Sequence, residues 1–168
     1  MALATSLSLN LRATLTGSAD LSTPTAEIVK AISDSLATGT AIDQADLIFA
    51  DTRTLSSTTS EDLDLAGSLT SDLGATLTFA RIKGILIHNK TTTAGYKLGV
   101  GGASGNQFIN WVANSSDIVY VRPDGILFLW APDVTGYAVT ASTGDLLKID
   151  NANAGSVTYD IVLIGCSA

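Results

Sequence analysis

The chain has 168 residues, a net charge of −7, and only 15% charged against 46% hydrophobic residues. Without a cluster of Lys or Arg it lacks the phosphate neutralisation on which nucleic-acid binding rests. The low charge excludes a disordered chain, and no run nears the ~20 apolar residues of a membrane span. One cysteine, Cys166, excludes an intrachain disulfide. The first ten residues show no basic patch ahead of an apolar run, so no secretory signal is expected. The shortfall in charge is made up by Thr, Ser and Gly, a composition of strands and turns.

Residues 7–15 alternate, with Leu7, Leu9, Leu11, Ala13 and Leu15 on one parity and Ser8, Asn10, Arg12 and Thr14 on the other. That period of two predicts a strand with one dry and one wet face. It reads as an edge strand of the chain's own sandwich, or alternatively as an interface strand adding to a neighbour through its Leu face. After the Thr23-Pro24 start signal, Ile28, Val29, Ile32 and Leu36 recur at three- and four-residue spacings and Gly39 offers a stop. The spacing predicts one short helix over 24–37.

From residue 46 onward, strands are expected over 47–55, 61–65, 76–88, 96–100, 107–112, 117–122, 126–130, 137–140, 146–149 and 157–164. Pro123-Asp124-Gly125 predicts a tight hairpin between 117–122 and 126–130. The apolar parity changes within 76–88, which predicts a β-bulge near Ala80-Arg81 or burial on both faces. The apolar ending of 157–164 predicts a central strand. No helical crossovers separate these strands, which excludes a parallel α/β fold. The expected fold is all-β: one antiparallel β-sandwich or jelly-roll-like domain over 1–168, in which 1–44 form a strand-plus-helix extension.

Residues suited to catalysis are sparse. His88, the single histidine, ends an apolar strand and reads as solvent-exposed; a hydrolase using it with acidic residues is the weakest reading. Ser104 lies among glycines, but Asn106 replaces the last Gly of a nucleophile elbow. The 99–105 stretch lacks the Lys of a phosphate loop and reads as a wide turn. Cys166 reads as a tolerated residue of a terminal tail, and one His with one Cys makes no zinc site. Asp62 and Asp64 share a parity opposite Leu63 and Leu65, as on a solvated strand face. The 150–155 loop has Ala152 and Ala154 where calcium ligands belong, so it reads as a turn. Asn89 and Asn114 head glycosylation sequons that need secretion to matter. Trp111 and Trp130 lie on predicted strands, where the core is their usual place; exposed, they would make a sugar platform. No catalytic, metal or cofactor site is expected.

Several segments together resemble a family of small bacteriophage virion proteins. They include Ala45-Asp46-Leu47-Ile48-Phe49, Asp51-Thr52-Arg53-Thr54-Leu55, Glu61-Asp62-Leu63-Asp64-Leu65-Ala66-Gly67 and Leu77-Thr78-Phe79-Ala80-Arg81-Ile82-Lys83. Further ones are Val121-Arg122-Pro123-Asp124-Gly125, Ala131-Pro132-Asp133-Val134-Thr135-Gly136-Tyr137-Ala138-Val139-Thr140 and Gly144-Asp145-Leu146-Leu147-Lys148-Ile149, with the ending from Val157 to Gly165. The resemblance implies a β-sandwich that assembles symmetrically on the virion, either as a capsid decoration (cement) protein or in a head or tail attachment. It supplies no active-site residues. A homo-oligomer, a trimer at local threefold positions, would bind the major capsid protein or other virion proteins. Leu7, Leu9, Leu11 and Leu15 are the expected interface. The alternative is a tail, spike or head-fibre component that contacts a host receptor or glycan through Trp111 or Trp130. A mean hydropathy of +0.34 without a membrane span fits apolar surface covered by partners.

Overall fold

The computed structural model describes residues 2–168. The chain is all-β, with antiparallel sheets and no helix among those residues. Strand β1 (Thr5–Thr16) pairs along its whole length with β2 (Thr25–Thr38), in register from Thr5↔Leu36 to Thr16↔Thr25. The helix expected over 24–37 is therefore a strand. Ile28, Ile32 and Leu36 recur every four residues, a spacing that satisfies a period of two as well as one of 3.6. The partner decides between them: β1 offers Leu9 opposite Ile32 and Ala13 opposite Ile28. Nor is β1 an edge strand of the sandwich, because it and β2 form a separate sheet with the two-residue β3 (Gln44–Ala45).

The body has two sheets. One is ordered β4 (Leu47–Leu55), β12 (Val157–Cys166), β6 (Arg81–Asn89), with both β9 (Ile126–Trp130) and β10 (Tyr137–Ala138) on the far side of β6. The other is ordered β5 (Thr59–Asp64), β11 (Leu146–Asn151), β7 (Leu98–Gly101), β8 (Ile118–Val121). The pairs are nested: β4 with β12, β5 with β11, β6 with β9, β7 with β8. Between the sheets lies one core, including Phe49, Leu63, Ile85, Ile87, Val100, Ile149, Ile161 and Leu163, in a sandwich-like arrangement. Strand β12 is central, as its continuous apolar ending predicts.

Other expectations need correction. The turn at Pro123-Asp124-Gly125 does not close a hairpin, since β8 pairs with β7 and β9 pairs with β6; turn chemistry fixes the reversal of the chain but not which sheet receives it. The bulge falls on Lys83, where Ile164 faces Gly84 but Gly165 faces Ile82. Residues 76–80 and 107–112 lie outside any strand, apart from isolated bridges at Thr76 and Gln107. Leu77, Phe79 and Phe108 are nonetheless buried, their apolar side chains plugging the sandwich from irregular backbone. The 99–105 stretch is only partly a turn: Gly99 to Gly101 belong to β7, and a side chain on Gly101 would reach 2.6 Å from the Asp117 carbonyl oxygen. Cys166 sits not in a tail but fully buried at the end of β12, its thiol pushed up by that burial.

Candidate assembly surface

The β1–β2 hairpin is an arm. Its ladder of paired residues runs about 40 Å at ~3.4 Å per residue, and nearly all of it is exposed beyond the base. Directly opposed residues share a face. One face carries Leu7, Leu9, Leu11, Ala13 and Leu15 with Ile32, Ile28 and Ala26 opposite, interrupted by Lys30 and, at the base, Asp34. The other carries Ser6, Ser8, Asn10 and Thr14, an Arg12–Glu27 ion pair, and two apolar positions, Ala31 and Val29. The expected interface residues Leu7, Leu9, Leu11 and Leu15 thus fall together on one ribbon face. Reading β2 as a helix hid Ile28 and Ile32, which complete that face.

The arm's base is firmly built. Leu36 is buried at its root and Leu7 half-buried. Trp130 Nε1 donates to Asp34 Oδ2 at 2.6 Å, and Thr38 Oγ1 donates to the Leu3 carbonyl at 2.6 Å. Between β2 and β3, Gly39 takes φ +142°, while the Ala37 and Gly39 amides donate to the carbonyls of Asp43 and Ala45. Fully buried Lys83 closes this joint: its Nζ donates to the carbonyls of Ala41 at 2.7 Å and Pro132 at 3.3 Å. A buried ammonium needs such partners, and the bulge at Lys83 is what turns the side chain toward the joint.

The outer face of the five-stranded sheet is also patterned. Reading across β4, β12, β6 and β9, one row is Ile48, Ile164, Gly84, Trp130 and the next is Ala50, Val162, Leu86, Phe128. The third is Thr52, Asp160, His88, Ile126, where the surface turns polar. Apart from buried Gly84, the first two rows are apolar yet half-buried or exposed, with Ile48 41% exposed. Leu7 and Asp34, an opposed pair on the arm's apolar face, meet this surface: Asp34 bonds Trp130, and Leu7 lines a recess of about 170 Å³ with Leu86, Phe128 and Val162. Apolar arm and apolar sheet therefore form the two walls of one open angle. A second recess, about 420 Å³, lies beside β4 between Leu3, Leu47, Ile48, Leu73 and Leu77.

No family model, curated protein or solved structure matches this chain.

Trp130 stacks on Phe128, ring centroids 6.2 Å apart, on the outer sheet face. Trp111 lies in the β7–β8 connection, packs against the core and donates to the Phe108 carbonyl at 3.0 Å. The two indoles have separate surroundings and form no joint platform. His88 is 30% exposed, with Nε2 3.4 Å from Asp124 and Nδ1 3.9 Å from Asp160. Asp160 is held below the usual carboxylate range by hydrogen bonds from Thr52 and Lys90. Asp62 is exposed and Leu63 and Leu65 are buried, as a solvated strand face requires. Asn151 is buried and its side-chain amide donates to three carbonyls, those of Leu55, Ser56 and Gly155, so the 150–155 loop is a self-satisfied turn. Asn89, heading a sequon, is buried and donates to Tyr96 and Val121. No group of three or more metal-ligating side chains occurs among the described residues.

The strongest polar knot escaped the sequence reading. Tyr159 is fully buried and its hydroxyl donates to Glu61 at 2.7 Å, while Arg53 donates through Nε to the other Glu61 oxygen at 2.8 Å and through Nη1 to Asp51 at 2.9 Å. Burial and then the Glu61 bond push the phenol upward, and the Glu61 bond raises the guanidinium further. The knot ties β4, β5 and β12 across the edge of the sandwich. Nothing in the alternation of the sequence pairs residues 53, 61 and 159.

Proposed function

We propose that this chain is a virion structural protein without catalytic activity, a capsid decoration (cement) protein that binds across capsomers as a symmetric homo-oligomer. The amphipathic arm is the observation that carries this reading. An isolated two-stranded hairpin is marginal in water, and this one extends an apolar face into solvent from a clamped base. Covering a large aliphatic side chain stabilises by roughly 1.5–3 kcal/mol. The exposed leucines and isoleucines of the arm therefore supply a driving force that can exceed the entropy lost on association. The nested strand pairing of the body supports the jelly-roll form of the sandwich, a fold frequent among capsid and lectin domains. The resemblance to bacteriophage virion proteins points the same way, with the virion as location and the major capsid protein as partner. Repetition around a ring lets modest individual contacts hold by avidity.

Purified protein added to shells that lack it is expected to bind saturably and to raise the temperature at which the shells disrupt. Absence of binding, with shells equally robust with or without the chain, overturns the reading. A second reading, a tail, spike or head-fibre component binding a glycan, draws on the half-exposed Phe128–Trp130 stack; glycan-array binding abolished in Trp130→Ala would favour it.

A further inference from the structure

Two apolar surfaces of this chain, the arm's leucine face and the outer rows of the five-stranded sheet, are left largely uncovered. The outer rows of the five-stranded sheet meet the arm only at its base, through Leu7 and the Asp34–Trp130 bond. Beyond that point the β1–β2 ladder continues unbroken away from the sheet, with Leu9, Leu11, Leu15, Ile28 and Ile32 between 44% and 74% exposed. We infer that the arm of one copy lies apolar face down across the outer face of the five-stranded sheet of a second copy. The inference rests on the assembly reading above and names the surfaces that would mate.

The dimensions agree. Leu9 to Leu15 span roughly 20 Å of ribbon, and four strands at ~4.8 Å spacing present a sheet about 15–19 Å across. A ribbon laid across those strands covers both apolar rows, from Ile48 and Ala50 on β4 to Trp130 and Phe128 on β9. Charge agrees as well. Lys30 interrupts the apolar face of the arm opposite Leu11 and has no ion pair among the described residues. The row bordering the apolar rectangle holds Asp160, already bonded to Lys90 and Thr52, so a copy seated on the sheet brings Lys30 beside a carboxylate that it would share with Lys90. Five large aliphatics on one side and two sheet rows on the other give an apolar patch on the order of 500 Å² per surface, at the top of what monomers leave exposed. Each copy contributes one arm and one sheet face, so the exchange places two such contacts on every subunit. A reciprocal pair makes both contacts between the same two subunits and reaches the class of specific interfaces, ~1,200–2,000 Å², whereas a ring has one contact per seam and holds by closure. Arm and sheet are different surfaces, so the contact is heterologous and closes as a ring or a reciprocal pair.

The experiment is complementation between two full-length variants followed by light scattering after size exclusion. Leu11→Asp disables the arm and Val162→Asp disables the sheet face. Wild type is expected as an oligomer, each variant alone as the 17.2 kDa monomer, and the equimolar mixture as a heterodimer, because one intact arm then meets one intact sheet. Should circular dichroism show Val162→Asp misfolded, Phe128→Ser on the same face replaces it. An oligomeric sheet variant beside a monomeric arm variant would overturn the inference, since the arm would then pair elsewhere, while the assembly reading stands. A wild type that is monomeric at every concentration also overturns it, and shell binding then decides the assembly reading separately.

Discussion

Tyr159 shows how much of this sandwich depends on single polar contacts inside an apolar frame. Its ring is wholly buried, and the hydroxyl reaches Glu61, which also holds Arg53. Removing the hydroxyl in Tyr159→Phe leaves Glu61 its stronger, charged partner. The expected cost is therefore that of one hydrogen bond to a charged group, about 1.5–3 kcal/mol, read as a lower urea midpoint at pH 7. Glu61→Ala should cost more, because it leaves a buried hydroxyl without an acceptor and the half-buried guanidinium with Asp51 alone. The phenol also sets a pH limit. Its folded-state ionisation lies above the ordinary value of 10.0, so unfolded Tyr159 loses its proton first as the solution becomes alkaline. The stability it contributes is intact below pH 10 and declines above it. Wild type is expected to lose urea resistance between pH 10 and 11.5 more steeply than Tyr159→Phe. Tyr137, raised mainly by burial, keeps a residual slope in the variant. Equal slopes for the two proteins would show that Tyr159 ionises as freely in the fold as out of it.

At the level of elements the joint between arm and body is the decisive construction. Gly39 takes φ +142° there, a conformation that costs an L side chain roughly 1–3 kcal/mol. A Cβ at that position would also fall 2.1 Å from Gln44 Oε1, a side-chain end that can swing aside at the expense of its bond from the Ala41 amide. Gly39→Ala is expected to destabilise by about 1–2 kcal/mol and to speed proteolytic cleavage between residues 37 and 44, releasing the arm from an otherwise intact body. Unchanged cleavage at that site would mean that Lys83 and the Asp34–Trp130 bond hold the joint alone. The same joint explains what could and could not be read in advance. Strand β4 and strand β9 match their expected bounds, 47–55 and 126–130, because alternation or a bounded apolar run marks them locally. Strand β2 was misread because a four-residue spacing fits both helix and strand, and only its register with β1 resolves the two. The supposed hairpin at Pro123-Asp124-Gly125 failed for the complementary reason: a turn sequence records bending, while pairing is decided by residues far off in the chain. The Leu face of β1 was legible as half of an interface; its other half lay on the misread strand, and the outer sheet rows require the registers of four strands at once.

For the whole molecule, the proposed mating of the two uncovered apolar surfaces links folding to association. A species that binds only the native state raises apparent stability by mass action, and in the proposed contact that species is a second native copy. Thermal unfolding should therefore depend on protein concentration. Between about 1 and 100 μM the midpoint is expected to rise by several degrees, since each tenfold increase adds about 1.4 kcal/mol of linkage per association step. Salt should matter little. The proposed contact buries aliphatic surface, and its charged margin, Lys30 beside the Lys90–Asp160 pair, is exposed enough that screening removes at most ~1 kcal/mol. Leu11→Asp, unable to associate, should unfold at one temperature across the whole range, equal to that of wild type extrapolated to dilution. Calorimetry on the two proteins at the two concentrations separates the terms. A wild-type midpoint that stays constant while the arm variant melts lower would make the leucine face a stabiliser of its own chain and remove assembly as the reason for its exposure.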